Sequence, residues 1–246
     1  MTVLLVAHGT RHLAGVRTVR ELADGVAARL GQPVAVAYAD VRGPTVAEAL
    51  SRLPGPVTLI PAFLASGYHV RVDIPAQVAA AGRAAAVGQA ALVGRAGDVT
   101  VTPALGADPA LLPALVDRLA EAGVREGDAV VLAAAGSSDP GARAEAHAMA
   151  RRLGRLLRGP VPVAWAATAE PAVAEEVARL RSAGARRVAV ATWLLAPGLF
   201  ADRLAAAGAD VVAAPLGAHP SVTSTLASRP ALGLTPPPLA EAASIG

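Results

Sequence analysis

His8, Asp40 and His69 are the residues of this chain best suited to do chemistry together. Two imidazoles and a carboxylate form a ligand set for a divalent transition metal. An imidazole, with a reference pKa of about 6.5, is also a proton acceptor near neutrality. The spacings, 32 and 29 residues, match no short metal-binding motif. An internal repeat is what connects the three. At an offset of 127, His8-Gly9-Thr10 falls on Ala135-Gly136-Ser137, Asp40 on Ala167, Pro44 on Pro171 and Ala47-Glu48 on Ala174-Glu175. Four extra residues around Gly184 raise the offset to 131, and Leu64, Gly67 and His69 then meet Leu195, Gly198 and Phe200. Glycine, proline and leucine positions match, while the three candidate residues become Ala135, Ala167 and Phe200. A packing role should survive in both copies, whereas a chemical role needs only one. Singly, each residue has an ordinary structural reading: His8 as a cap on the Gly9 turn, Asp40 as an Asx-turn residue ahead of Pro44, His69 as a loop histidine. Their joint replacement argues for a shared site.

Short Val/Leu runs alternate with Ala/Arg/Glu stretches of helical period, the pattern of βα units around a parallel sheet. The first half predicts strands at Val3–Ala7, Val34–Tyr38, Val57–Pro61 and Val99–Thr102. Its helices are expected at Ala14–Leu30, Thr45–Arg52, Ile74–Val87 and Pro109–Ala122. The second half predicts strands at Ala129–Ala134, Val161–Trp165, Arg187–Thr192 and Asp210–Ala213. Its helices are expected at Pro140–Leu157, Pro171–Ala183, Phe200–Ala207 and Pro220–Ala227. The expected architecture is α/β: two similar domains, 1–125 and 126–228, related by a pseudo-twofold with a cleft between them. A Pro-rich irregular tail is expected over 229–246. In open parallel sheets, ligands gather beyond the carboxyl ends of the strands. His8, Asp40 and His69 each follow one of the first three predicted strands, so all three converge on that edge.

Composition narrows the function classes. The chain has 246 residues, 54% apolar, enough for a substantial core. All 22 basic residues are Arg, the net charge is only +3, and aromatics are 2%, a poor composition for stacking bases or gripping a nucleic acid. With no Cys there is no thiolate metal site or disulfide framework, and a reducing cytoplasm is expected. Met1–Val6 reads as a buried strand rather than an export signal, and Val188–Ala201, broken by Pro197 and Gly198, is too short to cross a bilayer. Among other residues, His12 is either near the site or solvent-facing. His147 reads as surface or interdomain, and His219 as structural. Gly136-Ser137-Ser138-Asp139-Pro140-Gly141 follows a strand and enters a helix, where it could cradle an anion, but it lacks both the P-loop and the dinucleotide pattern and reads first as an ordinary strand-to-helix turn.

Three segments carry a family resemblance: Leu5-Val6-Ala7-His8-Gly9-Thr10-Arg11, Pro44-Thr45-Val46-Ala47-Glu48-Ala49-Leu50, and the stretch from Pro61 through Ala65-Ser66-Gly67-Tyr68-His69-Val70-Arg71-Val72-Asp73 to Pro75. They resemble the sirohydrochlorin chelatases, the class II chelatases of siroheme and cobalamin synthesis. Leu105-Gly106-Ala107-Asp108-Pro109 is similar to a further stretch of that family. The resemblance spans nearly the whole chain, duplication included. It implies a chelatase-type fold and ATP-independent insertion of Co²⁺ or Fe²⁺ into sirohydrochlorin, with His8 and His69 as active-site histidines. The family usually carries glutamate four residues before the proline of its second motif. Asp40 holds that place here, one methylene shorter, and His12 stands where an acid is usual. The implied metal ligands are His8, His69 and Asp40. Arg11, Arg42 and Arg71 lie beside these positions and are expected to meet substrate carboxylates, together with Thr10, Ser66, Ser137 and Ser138. No cofactor beyond the substrate metal, no nucleic acid and no membrane partner is expected. The expected state is a cytoplasmic monomer whose halves mimic a homodimer. Ni²⁺ as the metal, or a non-catalytic tetrapyrrole or metal carrier, are the alternatives.

Overall fold

A computed structural model describes residues 2–82, 85–87 and 99–232. The first half runs β1 (Thr2–Ala7), α1 (Leu13–Leu30), β2 (Val34–Tyr38), α2 (Val46–Arg52) and β3 (Val57–Pro61). A π-helical turn (His69–Asp73) then leads into α3 (Ile74–Ala80), β4 (Ala85–Val87), β5 (Val99–Val101) and α4 (Leu112–Glu121). The second half runs β6 (Ala129–Ala134), α5 (Pro140–Leu157), β7 (Val163–Trp165), α6 (Val173–Ser182), β8 (Val188–Trp193), α7 (Leu199–Ala205), β9 (Val211–Val212) and α8 (Pro220–Leu232). All pairings are parallel, in the orders β2-β1-β3-β5-β4 and β7-β6-β8-β9. This is the expected α/β duplication, with one added edge strand in the first sheet.

Strand alternation builds separate layers from one run of apolar residues. Leu4 and Val6 of β1 face a layer with Leu50 of α2 and Val78 of α3. Val3 and Leu5 face the opposite way, into a core that holds residues from both halves. The second sheet repeats this, with Val131 and Ala133 against Val177 of α6, and Val130 and Leu132 in the shared core. The two halves also exchange their last helices: α4 lies against β8, and α8 against α1 and β3. An offset of 111 relates these parts. Arg118 of α4 donates to the Leu216 carbonyl at 3.1 Å, and its equivalent Arg229 of α8 donates to the Leu105 carbonyl at 3.0 Å.

Three expectations need correcting. The helix drawn over Ile74–Val87 ends at Ala80, where Gly82 takes a left-handed φ of 68°, and Ala85–Val87 pair with β5 as a strand. An Ala-rich run fits either period, so the turn decides. The strand at Val161–Trp165 begins only at Val163. Helix α8 continues through Arg229 and Pro230 to Leu232, because Arg229 is buried and pairs with Asp108 at 3.0 Å. The rest of the expected tail, 233–246, lies outside the described residues.

Candidate active site at the strand ends

β1 lies between β2 and β3, so the connections leaving β1 and β3 depart to opposite sides and open a crevice at their carboxyl ends. His8 follows β1 and His69 lies in the loop after β3, across that crevice. Their ring centroids are 4.6 Å apart and the rings nearly perpendicular. The His8 turn is dictated by Gly9: its φ is 102°, and a Cβ there would collide with the Asp40 carbonyl. His69 opens the π-helical turn, in which Ile74 donates to its carbonyl five residues back. Such turns recur at functional sites because they re-aim a side chain within a helix.

Both imidazoles are held in the same way. Nδ1 of His8 lies 3.1 Å from the Gly9 carbonyl, and Nδ1 of His69 contacts the Asp73 carboxylate. A carbonyl and a carboxylate accept here, so each Nδ1 donates and, in the neutral ring, each Nε2 keeps its lone pair. The carboxylate behind His69 also fixes the orientation of its ring. Phe63 flanks both rings, at 6.5 Å from His8 and 6.2 Å from His69, and Tyr68 meets His69 edge-on.

Asp40 stands apart from this pair. It is exposed, and its Oδ1 accepts from the Val41 N–H at 2.7 Å. Among the described residues, no group of three His, Cys, Asp or Glu side chains is arranged to hold a metal. Of the three expected ligands, the two imidazoles lie together, and the Asp40 carboxylate is turned into its own loop.

The expected substrate contacts divide into two groups. Arg11 is exposed beside His8. Arg71 reaches Asp139 of the second half at 3.4 Å. Arg71, Tyr68, Ser137 and Ser138 line a recess of about 350 Å³ at the seam between the halves. Arg42, by contrast, is folded over the Tyr38 ring at 5.1 Å and reaches the Thr10 carbonyl at 3.4 Å, bracing the His8 loop rather than pointing at solvent. Thr10 accepts from the His12 N–H at 3.0 Å and faces Gly198 of the second half. Ser137 accepts from the Asp139 N–H at 3.1 Å and faces Gly67. The Ser66 N–H donates to Glu145 of α5 at 2.9 Å.

Asp139 caps α5 by accepting from the N–H groups of Ala142 and Gly141, which hold its carboxyl below the ordinary value, with Arg71 adding to the effect. The Gly136–Gly141 segment is thus the ordinary strand-to-helix turn it was expected to be. Of the other histidines, His12 lies 3.8 Å from Asp202, His147 is exposed and edge-on to Trp165, and His219 bridges Ser221 and Asp117. No helix among the described residues is long and apolar enough to cross a membrane. Sequence reasoning missed Phe63, Asp73, Asp139 and Glu145. Only Asp73 carried a signal, four residues after His69 and therefore on the same helical face.

Two interlocked α/β lobes, with a histidine pair beyond the strand ends of one of them, define a duplicated chelatase-type protein. The CbiX family model matches residues 2–122 and 129–231, so both copies are recognised and the chain belongs to that family, the sirohydrochlorin chelatases in duplicated form. A sirohydrochlorin cobaltochelatase from Methanothermobacter thermautotrophicus is 35% identical over 130 residues, covering 49% of this chain and 91% of that protein. SirB from Bacillus subtilis with Fe³⁺ superposes with a TM-score of 0.73 at 19% identity, covering 95% of this chain and 96% of that one. CbiX, described as the terminal enzyme of siroheme biosynthesis in denitrifying bacteria, superposes with a TM-score of 0.67 at 21% identity, over 96% and 100%. These two likenesses concern the fold.

Proposed function

We propose that this chain inserts Co²⁺ or Fe²⁺ into sirohydrochlorin, without a nucleotide, at the His8–His69 pair. The observation that carries the reading is the matched anchoring of the two imidazoles, which leaves two Nε2 lone pairs on one crevice. Insertion brings one M²⁺ into the macrocycle and releases two pyrrole N–H protons. His8 and His69 each accept a proton or hold the incoming ion while it sheds water. Only two protein ligands touch the ion, so it is not trapped before transfer. Asp73 offsets the charge that develops on His69, and Asp40 adds a negative charge at the rim. Arg11 and Arg71 meet the substrate carboxylates, and Ser66, Ser137 and Ser138 line the far wall with Thr10 at the opposite seam. Arg42 acts by bracing the His8 loop. The setting proposed is the cytoplasm, and the state proposed is a monomer, supported by the exchanged helices with which each half completes the other's core.

The test is visible absorption of anaerobic sirohydrochlorin with Co²⁺ or Fe²⁺ and catalytic amounts of protein. Turnover well above the spontaneous rate, absent in His8→Ala, is expected. A spectral change that stops at one equivalent would instead identify a carrier.

A further inference from the structure

We infer that Glu145, on α5 of the half that has no counterpart of His8 or His69, is a positioning residue for His69. The inference rests on the function proposed above and concerns how the second half serves it. The Ser66 N–H that Glu145 accepts begins the loop leading into the π-helical turn. The next carbonyl, that of Gly67, accepts from both Val70 and Arg71 at 3.1 Å and so starts the turn that aims His69. The same helix grips the segment again beyond His69, through Asp139 and Arg71. Gly67 itself has Ser137 and Ala142 as neighbours. The His69 segment is therefore pinned on both sides by one helix of the other lobe, with a charge-assisted bond at its origin.

The repeat supplies an internal control. Several contacts across the seam have a pseudo-twofold counterpart. Gly67 facing Ser137 matches Gly198 facing Thr10, and Arg71–Asp139 matches His12–Asp202. The Glu145 contact has none. Its counterpart position is Thr18, whose hydroxyl donates to the Ala14 carbonyl of its own helix. The counterpart of Ser66 is Pro197, which has no N–H to offer. Carboxylate and amide are thus paired only beside the loop that carries a histidine, and both are replaced beside the loop that carries Phe200. What sets this one-sided pair apart from others across the seam is its place, at the origin of the His69 loop.

The experiment compares Glu145→Ala, Glu145→Gln and wild type by steady-state cobalt insertion, thermal unfolding and ¹⁵N signals of the histidine rings. Glu145→Ala is expected to lower kcat about 10-fold with KM for sirohydrochlorin changed by less than about twofold. Its His69 ring should lose the single Nδ1–H tautomer, while the His219 ring stays as in wild type. Glu145→Gln, which keeps an acceptor oxygen, should restore kcat and the His69 signal. Unchanged kcat in Glu145→Ala would overturn the inference. So would equal losses in both variants that follow a lowered melting temperature while the His69 signal is unaltered. If wild type itself shows no turnover, the functional reading fails, and the His69 ring signals alone decide the role of Glu145.

Discussion

The two halves share a backbone and differ in their chemistry, and the contrast is visible bond by bond. Asp40 N–H donates to the His8 carbonyl at 2.9 Å; Ala167 N–H donates to the Ala135 carbonyl at 3.0 Å. Tyr38 N–H reaches Pro44, and Trp165 N–H reaches Pro171. Glu48 and Glu175 accept from the N–H at the start of α2 and α6 at the same 2.9 Å. Gly9 and Gly136 adopt φ of 102° and 105°, each under a carbonyl that leaves no room for a Cβ. All of this persists although Ala135 and Phe200 replace the histidines. The second half has kept what folds the protein and holds the first half's loop, without the two facing histidines. A site can decay in one copy when the fold requires both copies but the reaction requires one.

The comparison can be broken most sharply at the histidines. His8→Ala and His69→Ala should each lower insertion about 100-fold or more with the fold intact, read by initial rates and circular dichroism. Asp40→Asn should cost only a few-fold, since its carboxylate is engaged by Val41. Equal wild-type activity in both histidine variants would place the chemistry elsewhere. Asp73→Ala should lower kcat about 10- to 100-fold by freeing the His69 tautomer, whereas Leu204→Ala at the matching place in the second half should act through stability alone. The exchanged helices sharpen the symmetry. Arg118→Ala and Arg229→Ala each leave a carbonyl of the other half without its donor, and each should cost about 1–3 kcal/mol in urea unfolding. Arg229→Ala also strips Asp108 of its partner and should cost the more of the two; an equal cost would show that this ion pair adds nothing.

The smallest effect concerns acid. The Asp139 carboxyl lies below its ordinary 3.8 in the folded chain, so its contribution is fully present above that value and is lost as pH falls through the lower folded one. The stability gap between wild type and Asp139→Asn should be constant above about pH 5 and shrink below it. A gap independent of pH would mean that folding does not lower the Asp139 carboxyl below its ordinary value.

Much of the fold was legible because parallel strands buried on both faces read as unbroken Val/Leu runs, and because the repeat supplied each element twice. The exceptions have local causes. A left-handed glycine ended α3 within an Ala-rich run, and a buried arginine drew α8 past Arg229. The histidines were legible through their replacement in the second copy. Asp40 was legible as a position, but its side-chain direction was not, because one rotation about χ1 separates a carboxylate in the crevice from one on its neighbour's amide.

Sequence alone determined the duplicated α/β plan, the strand edge that His8 and His69 follow, and which half carries them, because these follow from periodicity and from residue identity. Tertiary structure decided the rest. It alone brings His8 within 4.6 Å of His69, sets Asp73 and the Gly9 carbonyl behind them, and sends α4 and α8 across to the opposite lobes. It also brings Glu145 to Ser66, 79 residues away in the chain. Contacts between elements far apart in the chain depend on how whole layers pack, and no local pattern encodes that.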